Sequence, residues 1–599
     1  MGHVGESVKT FDYFATYEVP RRPTFYHWLS IVLSACQTGL VFGVVKILSD
    51  YFNELRYFII ESFGVGWGTL GALAALSLPL LMIACSLLVH VEPVAGGSGI
   101  TDVFASLNGL VIPRLFRPVT YLCRILGFWV AMSSGLWVGP EGPMIYVGAA
   151  ASHIVGSIIC KCVSARALSA KEDYDTICSG AAMGASAAFR APLAGTVMLM
   201  EGFGLLWHHS LVWQTFVGCF IAVVVSGTFS SKFTCSFVLC SSQPGDFVMT
   251  GFWTDGLSVI AIICSSVTLG LLNAAFSWAT FGIANCWGSH HNKSFAGILL
   301  LLPTSLLTFV VFTAIGLVGN HAGMALVIGP HDDAIRFVLF AKYIPLWLLM
   351  VVPLAVYMQL VFLHFTPLVA GIFLPAIFCG ACIGRFYADM LGSGSPVVVA
   401  VCGAASGLVG YFRYPLTVSV LIAEVTSNMF LSIPVMASVI VSKAIADLLS
   451  PSIMSIMVSS KGYHLLSHIQ NKTVASLRGQ RVGDYAKSAA CITEGFDLHR
   501  LSTALDSNVD QDYFPIVSVE STVLRGLTRD VAEAAVAAGH LPRTYDKPFV
   551  VDERMDVVTC YRLMRSNGIK DIVIVSHYNK VLIGVLDREV LSSAFSNIQ

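Results

Sequence analysis

Long apolar segments with few charges make up residues 25–458 of this 599-residue chain. The stretches 297–319 and 344–363 are each long enough to cross a bilayer as an α-helix. Only 12% of the residues are charged, whereas a typical soluble domain has about 25%. The sequence therefore predicts a multi-pass membrane protein. Its net charge of −1 lacks the basic footprint of a nucleic-acid-binding protein.

The polar segment 1–24 shows no cleavable signal sequence. Arg21 and Arg22 precede the first apolar run, and the positive-inside bias predicts that the N-terminus is cytosolic. Many of the later apolar segments are interrupted by Gly and Pro. This texture favours tilted, partly penetrating helices over a plain bundle of spans.

One interruption, Gly139–Pro143, holds a single carboxylate between two Gly-Pro pairs. An ionisable side chain in hydrocarbon costs several kcal/mol, so Glu141 is a functional candidate. The Gly and Pro residues free the surrounding backbone from a helix, which is tolerated at membrane depth only inside protein or beside a water-filled cavity. The stretch predicts a broken helix that aims N–H groups and a carboxylate at a polar pathway. A snorkelling interfacial acid is the alternative.

The membrane part contains an internal repeat, with halves at about 70–205 and 300–430. In both halves a Gly lies twelve residues before the Pro of a Phe-Arg-x-Pro-Leu motif, and a Glu lies nine residues after that Pro. The frame of the Glu141 stretch also has a counterpart at 371–380. Interrupted helices at corresponding places of two repeats indicate a transport site at their interface. The matching residues are Gly180, Pro192 and Glu201 in the first half and Gly403, Pro415 and Glu424 in the second.

The composition changes after residue 458, where charges become frequent and apolar runs shorten to strand length. We interpret 459–480 as a linker that leads into two related units at 481–539 and 545–597. The apolar run at 514–518 matches 572–576 at a shift of 58 residues, and helical patterns flank both. The tail is therefore predicted to be a tandem α/β pair with a β-α-β-β-α-like order in each unit.

Three motifs in order resemble the signatures of the CLC family of chloride channels and chloride/proton exchangers. Gly97–Thr101 resembles GSGIP with Thr101 in place of Pro, Gly139–Pro143 resembles GxEGP, and Gly371–Pro375 resembles GxFxP. The tail is similar to the paired CBS domains of eukaryotic members. The resemblance implies a homodimer in membrane lipid with one chloride pathway per subunit, two inverted halves, no enzymatic reaction and no required cofactor.

The resemblance also assigns the residues that hold the anion. Ser98 and the backbone of Ile372 and Phe373 are expected to bind chloride at a central site, because helix N-termini attract an anion without a full positive charge. Glu141 is expected to gate the pathway, since its carboxylate mimics an anion and must swing out or be protonated. Ser98 as a small helix-packing residue is the alternative. The remaining expected neighbours of the anion are Gly99, Ile100, Gly142 and Met454.

Two departures from the family pattern concern mechanism. Exchangers usually carry two consecutive acids after the first Phe-Arg-x-Pro-Leu motif, and the second acid relays protons. Here Glu201 matches Glu424 in the repeat, so both are expected to be structural acids bonding helix ends, which leaves Gly202 at the relay position. Met454 stands where the family usually has a Tyr that touches chloride, and a thioether donates no hydrogen bond.

These departures favour a passive, voltage- or pH-gated chloride channel, with a chloride/proton exchanger as the alternative and a nucleotide-regulated sensor as a third reading. In the tail, Asp530 and Glu589 fit the acids that contact an adenine nucleotide in CBS pairs, and a pair without ligand stays open. Cys235 and Cys240 pair only if their loop is lumenal or extracellular. The sequence predicts no metal site and cytosolic termini, and leaves the plasma membrane and organelles open.

Overall fold

A computed structural model describes the chain as two compact units. One unit contains nearly all described residues up to Lys461, and the other contains mainly the residues after it. The described residues are 24–63, 67–107, 112–164, 170–203, 209–229, 256–287, 295–327, 331–461, 481–487, 490–493, 497–507, 511, 513–517, 523–538, 550–555, 557, 560, 564, 571–576 and 581–587.

Helices build the membrane unit throughout its described residues. They are α1 (Thr24–Phe63), α2 (Trp67–His90), α3 (Ile100–Leu107), α4 (Pro118–Ser133), α5 (Glu141–Ser164), α6 (Ala170–Phe189), α7 (Pro192–Met198), α8 (His209–Thr228), α9 (Gly256–Trp287), α10 (Phe295–Val327), α11 (His331–Phe340), α12 (Leu346–Leu363), α13 (Phe373–Leu391), α14 (Pro396–Phe412), α15 (Pro415–Thr426), α16 (Ser432–Leu449) and α17 (Ile453–Ser460).

Within the described part of the chain, eight helices are long and apolar enough to cross a membrane. Shorter helices lie between them, such as α3 with eight residues and α7 with seven. Proline begins α4, α7, α14 and α15, where its missing N–H costs nothing and its fixed φ suits the first turn. The chain is an integral membrane protein, and the predicted all-α polytopic domain with broken helices is confirmed.

The two halves repeat each other at the level of the backbone. Arg190 and Arg413, at the turns before α7 and α15, have φ angles of 56° and 62°, which is unusual for residues other than glycine. Arg413 donates from Nη2 to the carbonyl oxygen of Ala446 at 2.9 Å. The same irregular turn therefore redirects the chain at equivalent places in both halves.

Glycines allow the central helices of each half to touch. A Cβ on Gly148 of α5 would overlap the carbonyl oxygen of Gly180 on α6. In the second half, a Cβ on Gly380 of α13 would overlap the carbonyl oxygen of Gly403 on α14. Gly148 and Gly180 match Gly380 and Gly403 in the sequence repeat. Equivalent glycines therefore form the same close helix crossing in both halves.

The tail contains two three-stranded sheets and, in its described residues, the helices α18 (Leu498–Ser507) and α19 (Arg529–Ala538). In each sheet the first strand pairs in parallel with the second, and the second pairs antiparallel with the third. The register shifts at Ile516/Val517 in one sheet and at Ile574/Val575 in the other, again 58 residues apart. The strands are β1 (Ile492–Thr493), β2 (Tyr513–Val517), β3 (Val523–Thr528), β4 (Val550–Asp552), β5 (Asp571–Val575) and β6 (Leu582–Asp587).

Residues 481–487 pack with the second sheet, although they precede the first sheet in the chain. The N–H of Val482 donates to the carbonyl oxygen of Met555 at 2.9 Å, and Lys487 pairs with Val585. The side chain of Val482 is fully buried in the core of the second sheet. The segment with which the predicted first unit begins thus contributes to the second core.

Candidate anion-transport site

The two related Gly-rich frames meet in space. The N–H of Gly139 donates to the carbonyl oxygen of Gly371 at 2.8 Å, and the N–H of Gly371 donates to that of Gly139 at 3.0 Å. This reciprocal pair satisfies backbone groups that the helix breaks leave free. Helix α5 begins at Glu141 and α13 at Phe373, so two helix N-termini start directly beside the bridge.

The carboxylate of Glu141 lies at the first turn of α13. It is within hydrogen-bonding reach of the N–H of Leu374 and of its own N–H. Its Oε2 contacts the position where a Cβ would stand on Gly139, so glycine provides the space that the carboxylate occupies. The side chain is 1% exposed. A negative group therefore sits where a helix N-terminus offers partial positive charge and free donors.

Ser98 reaches the same place from the loop directly before α3. It lies between Gly97 and Gly99, whose φ angles of 80° and 81° belong to the left-handed region that glycine adopts without strain. A Cβ on Gly142 would lie 3.4 Å from both the Cβ of Ser98 and the Cα of Gly371. The three signature stretches predicted from sequence are thus brought together.

The hydroxyl of Ser98 is buried. Among the described residues its Oγ has no hydrogen-bond partner. Ile100, at the first position of α3, is also buried. A buried polar atom without a partner is costly, so a hydroxyl beside a helix start is a donor suited to an anion.

Aromatic packing fixes the start of α13. Ile372 is its N-cap residue, and the ring of Phe373 stacks on Phe412 with centroids 3.7 Å apart. The rings of Phe189 and Phe373 pack edge to face, with centroids 5.4 Å apart. Phe189 and Phe412 are the equivalent Phe residues of the two Phe-Arg-x-Pro-Leu motifs. Both halves therefore hold the backbone that is predicted to bind chloride.

A charged cluster behind Ser98 was missed by the sequence reasoning. Arg124 of α4 is fully buried, and its Nη2 lies 3.0 Å from Oδ2 of Asp102. Lys461 Nζ lies 2.7 Å from Oδ1 of the same aspartate. The guanidinium also lies over the Tyr146 ring, 3.9 Å from its centroid, and contacts the Cβ position of Gly99. A second buried carboxylate, Glu92, also acts on Tyr146, so the cluster behind the Ser98 loop contains acids as well as cations.

One sequence signal points to part of this cluster. Arg124 is the only charged residue in α4, and an intramembrane ionisable residue is a functional candidate. Nothing local indicates Lys461 as a partner, because it is 359 residues from Asp102 in the chain.

The matched glutamates cap helices of the opposite half. Glu424 accepts hydrogen bonds from the N–H groups of Leu193 and Ala194, at 3.1 and 3.0 Å, at the start of α7. Glu201 accepts from the N–H groups of Leu416 and Thr417, at 3.1 and 2.7 Å, at the start of α15. Each carboxylate satisfies donors that a helix N-terminus leaves free. These contacts are the ones that a structural role requires.

The two mechanistic departures are visible in the structure. Gly202 lies in a π-helical turn, Leu199–Phe203, that continues α7. The ring of Tyr414 lies beside it, with Cζ 2.7 Å from the position of a Cβ on Gly202. Met454 is buried in the first turn of α17, whose N-cap is Ser452. Neither position offers a side-chain acid or hydroxyl of its own.

The remaining predicted sites lie outside the transport region. Asp530 is exposed in the first turn of α19, directly after β3. Glu589, Cys235 and Cys240 lie outside the described residues. Within the described ranges, no cluster of three His, Cys, Asp or Glu residues has the arrangement of a metal site.

Comparison with known proteins identifies relatives of the chain. The model of the family described as voltage gated chloride channel matches residues 80–447. "Chloride channel protein CLC-b" of Arabidopsis thaliana is 25% identical over 600 residues, covering 88% of this chain and 75% of that protein. "H(+)/Cl(-) exchange transporter 7" of Homo sapiens is 26% identical over 502 residues, covering 72% of this chain and 59% of that protein.

Solved structures share the fold. The crystal structure of a eukaryotic CLC transporter matches with a TM-score of 0.73 and 18% identity, over 94% of this chain and 98% of that one. The structure of a slow cyanobacterial Cl⁻/H⁺ antiporter matches with a TM-score of 0.60 and 18% identity, over 73% and 98%. With the family model matched over more than half of its length, the chain belongs to the voltage-gated chloride channel family, the CLC family.

Proposed function

We propose that this protein is a passive chloride channel, with one pathway in each subunit of a homodimer and Glu141 as its gate. The observation that carries the proposal is the carboxylate of Glu141 at the N-terminus of α13, beside Ser98 and the Gly139–Gly371 bridge. A carboxylate and chloride compete for the same N–H donors. While Glu141 is seated there, it takes the place of the anion.

Opening follows from that competition. When Glu141 swings away or gains a proton, the donors at the start of α13 and the Ser98 hydroxyl become available to chloride. Helix dipoles supply only partial charge, so the anion is attracted but leaves again. The charged cluster of Arg124, Asp102 and Lys461 lies on the α3 side of the site.

Gly202 and Met454 support a channel over an exchanger. Proton coupling needs a titratable group or a water chain at the relay position, and Gly202 supplies no side chain. Met454 supplies no hydroxyl to hold the central anion. The second candidate is a chloride/proton exchanger. It is supported by the human relative that is named as an exchange transporter.

Flux in reconstituted liposomes separates the candidates. Chloride efflux and external pH are recorded together from vesicles that hold an outward chloride gradient. A channel dissipates the gradient without moving protons uphill. Uphill proton movement driven by chloride would replace the channel with the exchanger. Absence of chloride flux would favour a sensor with little transport of its own.

For the tail we propose a cytosolic CBS pair in which Asp530 contacts an adenine nucleotide. The support is the repeated sheet order and the position of Asp530 directly after β3. ATP titration of the purified full chain by calorimetry tests this, with Asp530→Asn as the variant. Equal binding by both proteins would remove Asp530 from the site. Lack of binding by the unmodified protein would leave a purely structural pair.

A further inference from the structure

The space beside Gly202 is filled by an aromatic ring from the other half of the molecule. The Cε2 and Cζ atoms of Tyr414 lie 2.7 Å from the position of a Cβ on Gly202, and its hydroxyl lies 3.0 Å from it. Real Cβ atoms do not approach other atoms so closely, so a side chain at 202 requires the ring to move. The relay position therefore lacks an acid, and the space beside it is filled by the Tyr414 ring.

The repeat shows that this ring is an addition to the shared framework. Tyr414 is the variable residue of the second Phe-Arg-x-Pro-Leu motif, and its counterpart in the first motif is Ala191. Both residues are N-caps with similar backbone angles, φ −104° and −131° with ψ near 83° and 88°. The backbone at this turn thus accepts alanine, and the framework does not require an aromatic residue.

Tyr414 also lines a narrow apolar cavity of about 10 Å³, and Phe373 lies on the same wall. The polar side chains on its wall are Tyr414 itself and Thr417, whose hydroxyl donates to Glu201 at 2.7 Å. A cavity this small holds no chain of waters while the ring is in place. Without the ring, the Thr417 hydroxyl and the Glu201 carboxylate are the polar groups that hold water at this point. Its wall also includes Ala185, Met198, Leu408 and Leu421.

We propose that the ring of Tyr414, which contacts Gly202 and lines the cavity at Phe373, is a plug that keeps protons from passing between these two residues. The ring closes the end of the cavity near Glu201, so water does not extend from there to the start of α13, where Glu141 lies. The plug deepens the proposed channel function and rests on it, because it accounts for chloride flow that carries no protons along. The ring volume is the active property, and the hydroxyl is dispensable.

Four variants of the full-length protein test the plug in liposomes. Tyr414→Ala removes the ring, and Tyr414→Phe keeps the ring without the hydroxyl. Gly202→Ala adds a methyl group where the ring now lies and displaces it. Tyr414→Ala combined with Gly202→Leu refills the space from the opposite side. Tyr387→Ala is the matched control, because it removes a tyrosine that bonds Thr268 and does not line the cavity.

Proton flux is measured with a pH dye under an imposed pH gradient and is divided by chloride flux in the same vesicles. We expect this ratio to rise about tenfold in Tyr414→Ala, as for a barrier lowered by about 1.4 kcal/mol. Gly202→Ala is expected to raise it in the same direction. Tyr414→Phe, the refilled double variant and Tyr387→Ala are expected to match the unmodified protein.

Two results overturn the plug. One is a Tyr414→Ala protein that conducts chloride at the unmodified rate and stays as proton-tight as before. The other is a changed ratio in Tyr414→Phe, which would make the hydroxyl the active group. The channel proposal is judged separately, from the unmodified protein alone, by whether a chloride gradient drives protons uphill. Failure of either proposal is thus recognisable without the other.

Discussion

Glu141 is positioned almost entirely by backbone groups. The N–H of Leu374 lies within reach of its carboxylate, and Oε2 has no hydrogen-bond partner among the described residues. A buried arginine or lysine paired directly to this carboxylate would hold it too tightly for a gate. The buried Arg124 and the partly buried Lys461 instead pair with Asp102. Asp102 thus pairs with both cations, and Glu141 remains free to move.

Removing the charge of Glu141 is expected to leave the pathway open. Glu141→Gln keeps the shape of the side chain but no longer competes with chloride as an anion. We expect channel current that has lost its dependence on voltage and on pH, measured in planar bilayers. Glu54→Gln is the matched control, because Glu54 is an exposed acid on α1. Unchanged gating in Glu141→Gln would show that the gate lies elsewhere.

Ser98 is expected to contribute a single hydrogen bond to the anion. A hydrogen bond to a charged group contributes about 1.5–3 kcal/mol, so Ser98→Ala is expected to weaken chloride binding by about tenfold or more. Calorimetric titration of chloride into the purified protein measures the effect. Ser226→Ala serves as the control, since that hydroxyl bonds the carbonyl oxygen of Val223 within its own helix. Equal affinity in both variants would exclude the Ser98 hydroxyl from the site.

At the scale of elements, short helices depend on groups from the other half of the chain. Helix α7 has seven residues, too few to be stable alone, and its first N–H groups are capped by Glu424. Glu201 caps the first N–H groups of helix α15 in the same way. The exchange of caps ties the two repeats together at the turns that lead into the cavity.

Loss of either cap is expected to lower stability to a similar degree. Removal of an N-cap costs about 0.5–2 kcal/mol, so Glu201→Ala and Glu424→Ala should each lower the melting temperature of the protein in detergent. Each glutamate lies on the helical segment that the other one caps, so the loss in the double variant should differ from the sum of the two single losses. Glu54→Ala is expected to melt like the unmodified protein. A normal melting temperature in both cap variants would contradict a structural role.

The helix crossings are expected to be sensitive to a single methyl group. Gly148→Ala and Gly380→Ala each place a Cβ against a backbone carbonyl, which cannot move aside as a flexible side chain does. Overpacking costs about 1–3 kcal/mol, so less of each variant should remain monodisperse in size-exclusion chromatography after heating. Gly282→Ala is the control, because a Cβ there meets nothing within 4 Å. Equal recovery of all three variants would refute the close crossings.

At the scale of the whole molecule, a lipid-embedded unit and a tail unit follow different rules. The membrane unit is held together by close packing at small residues and by glutamates that cap helices of the opposite half. The hydrophobic effect does not drive helix association in lipid, because lipid tails are as apolar as the side chains. The tail uses ordinary apolar cores, one for each sheet and a third in which Tyr513 of the first sheet packs with Val573, Val575 and Val585 of the second. Residues 481–487 belong to the second of these cores and precede the first in sequence.

Val482 is expected to stabilise the tail from a distance in sequence. Val482→Ala leaves a cavity in the second core and should make the tail more sensitive to limited proteolysis, while the membrane unit stays intact. Val531→Ala removes the same atoms from an exposed position of α19 and is the matched control. Identical digestion rates for the two variants would indicate that Val482 does not support the second core.

Short stretches of the sequence determine the membrane spans, the helix break at Glu141 and the internal repeat. Apolar length predicts the spans, because burying a backbone in lipid demands helices. Gly-Pro pairs around Glu141 predict a helix break, because these residues remove or misplace helical hydrogen bonds. The spacing of Glu201 and Glu424 predicts a repeat and a shared role. Each of these inferences depends on the properties of neighbouring residues.

Other features were decided only by tertiary structure. The sequence does not reveal that Lys461 shares Asp102 with Arg124, that Tyr414 fills the space at Gly202, or that residues 481–487 join the second sheet. Spacing determines where a helix breaks and which of its faces is apolar. It does not determine which distant side chain enters a given gap, because that choice depends on close packing among elements joined only by folding.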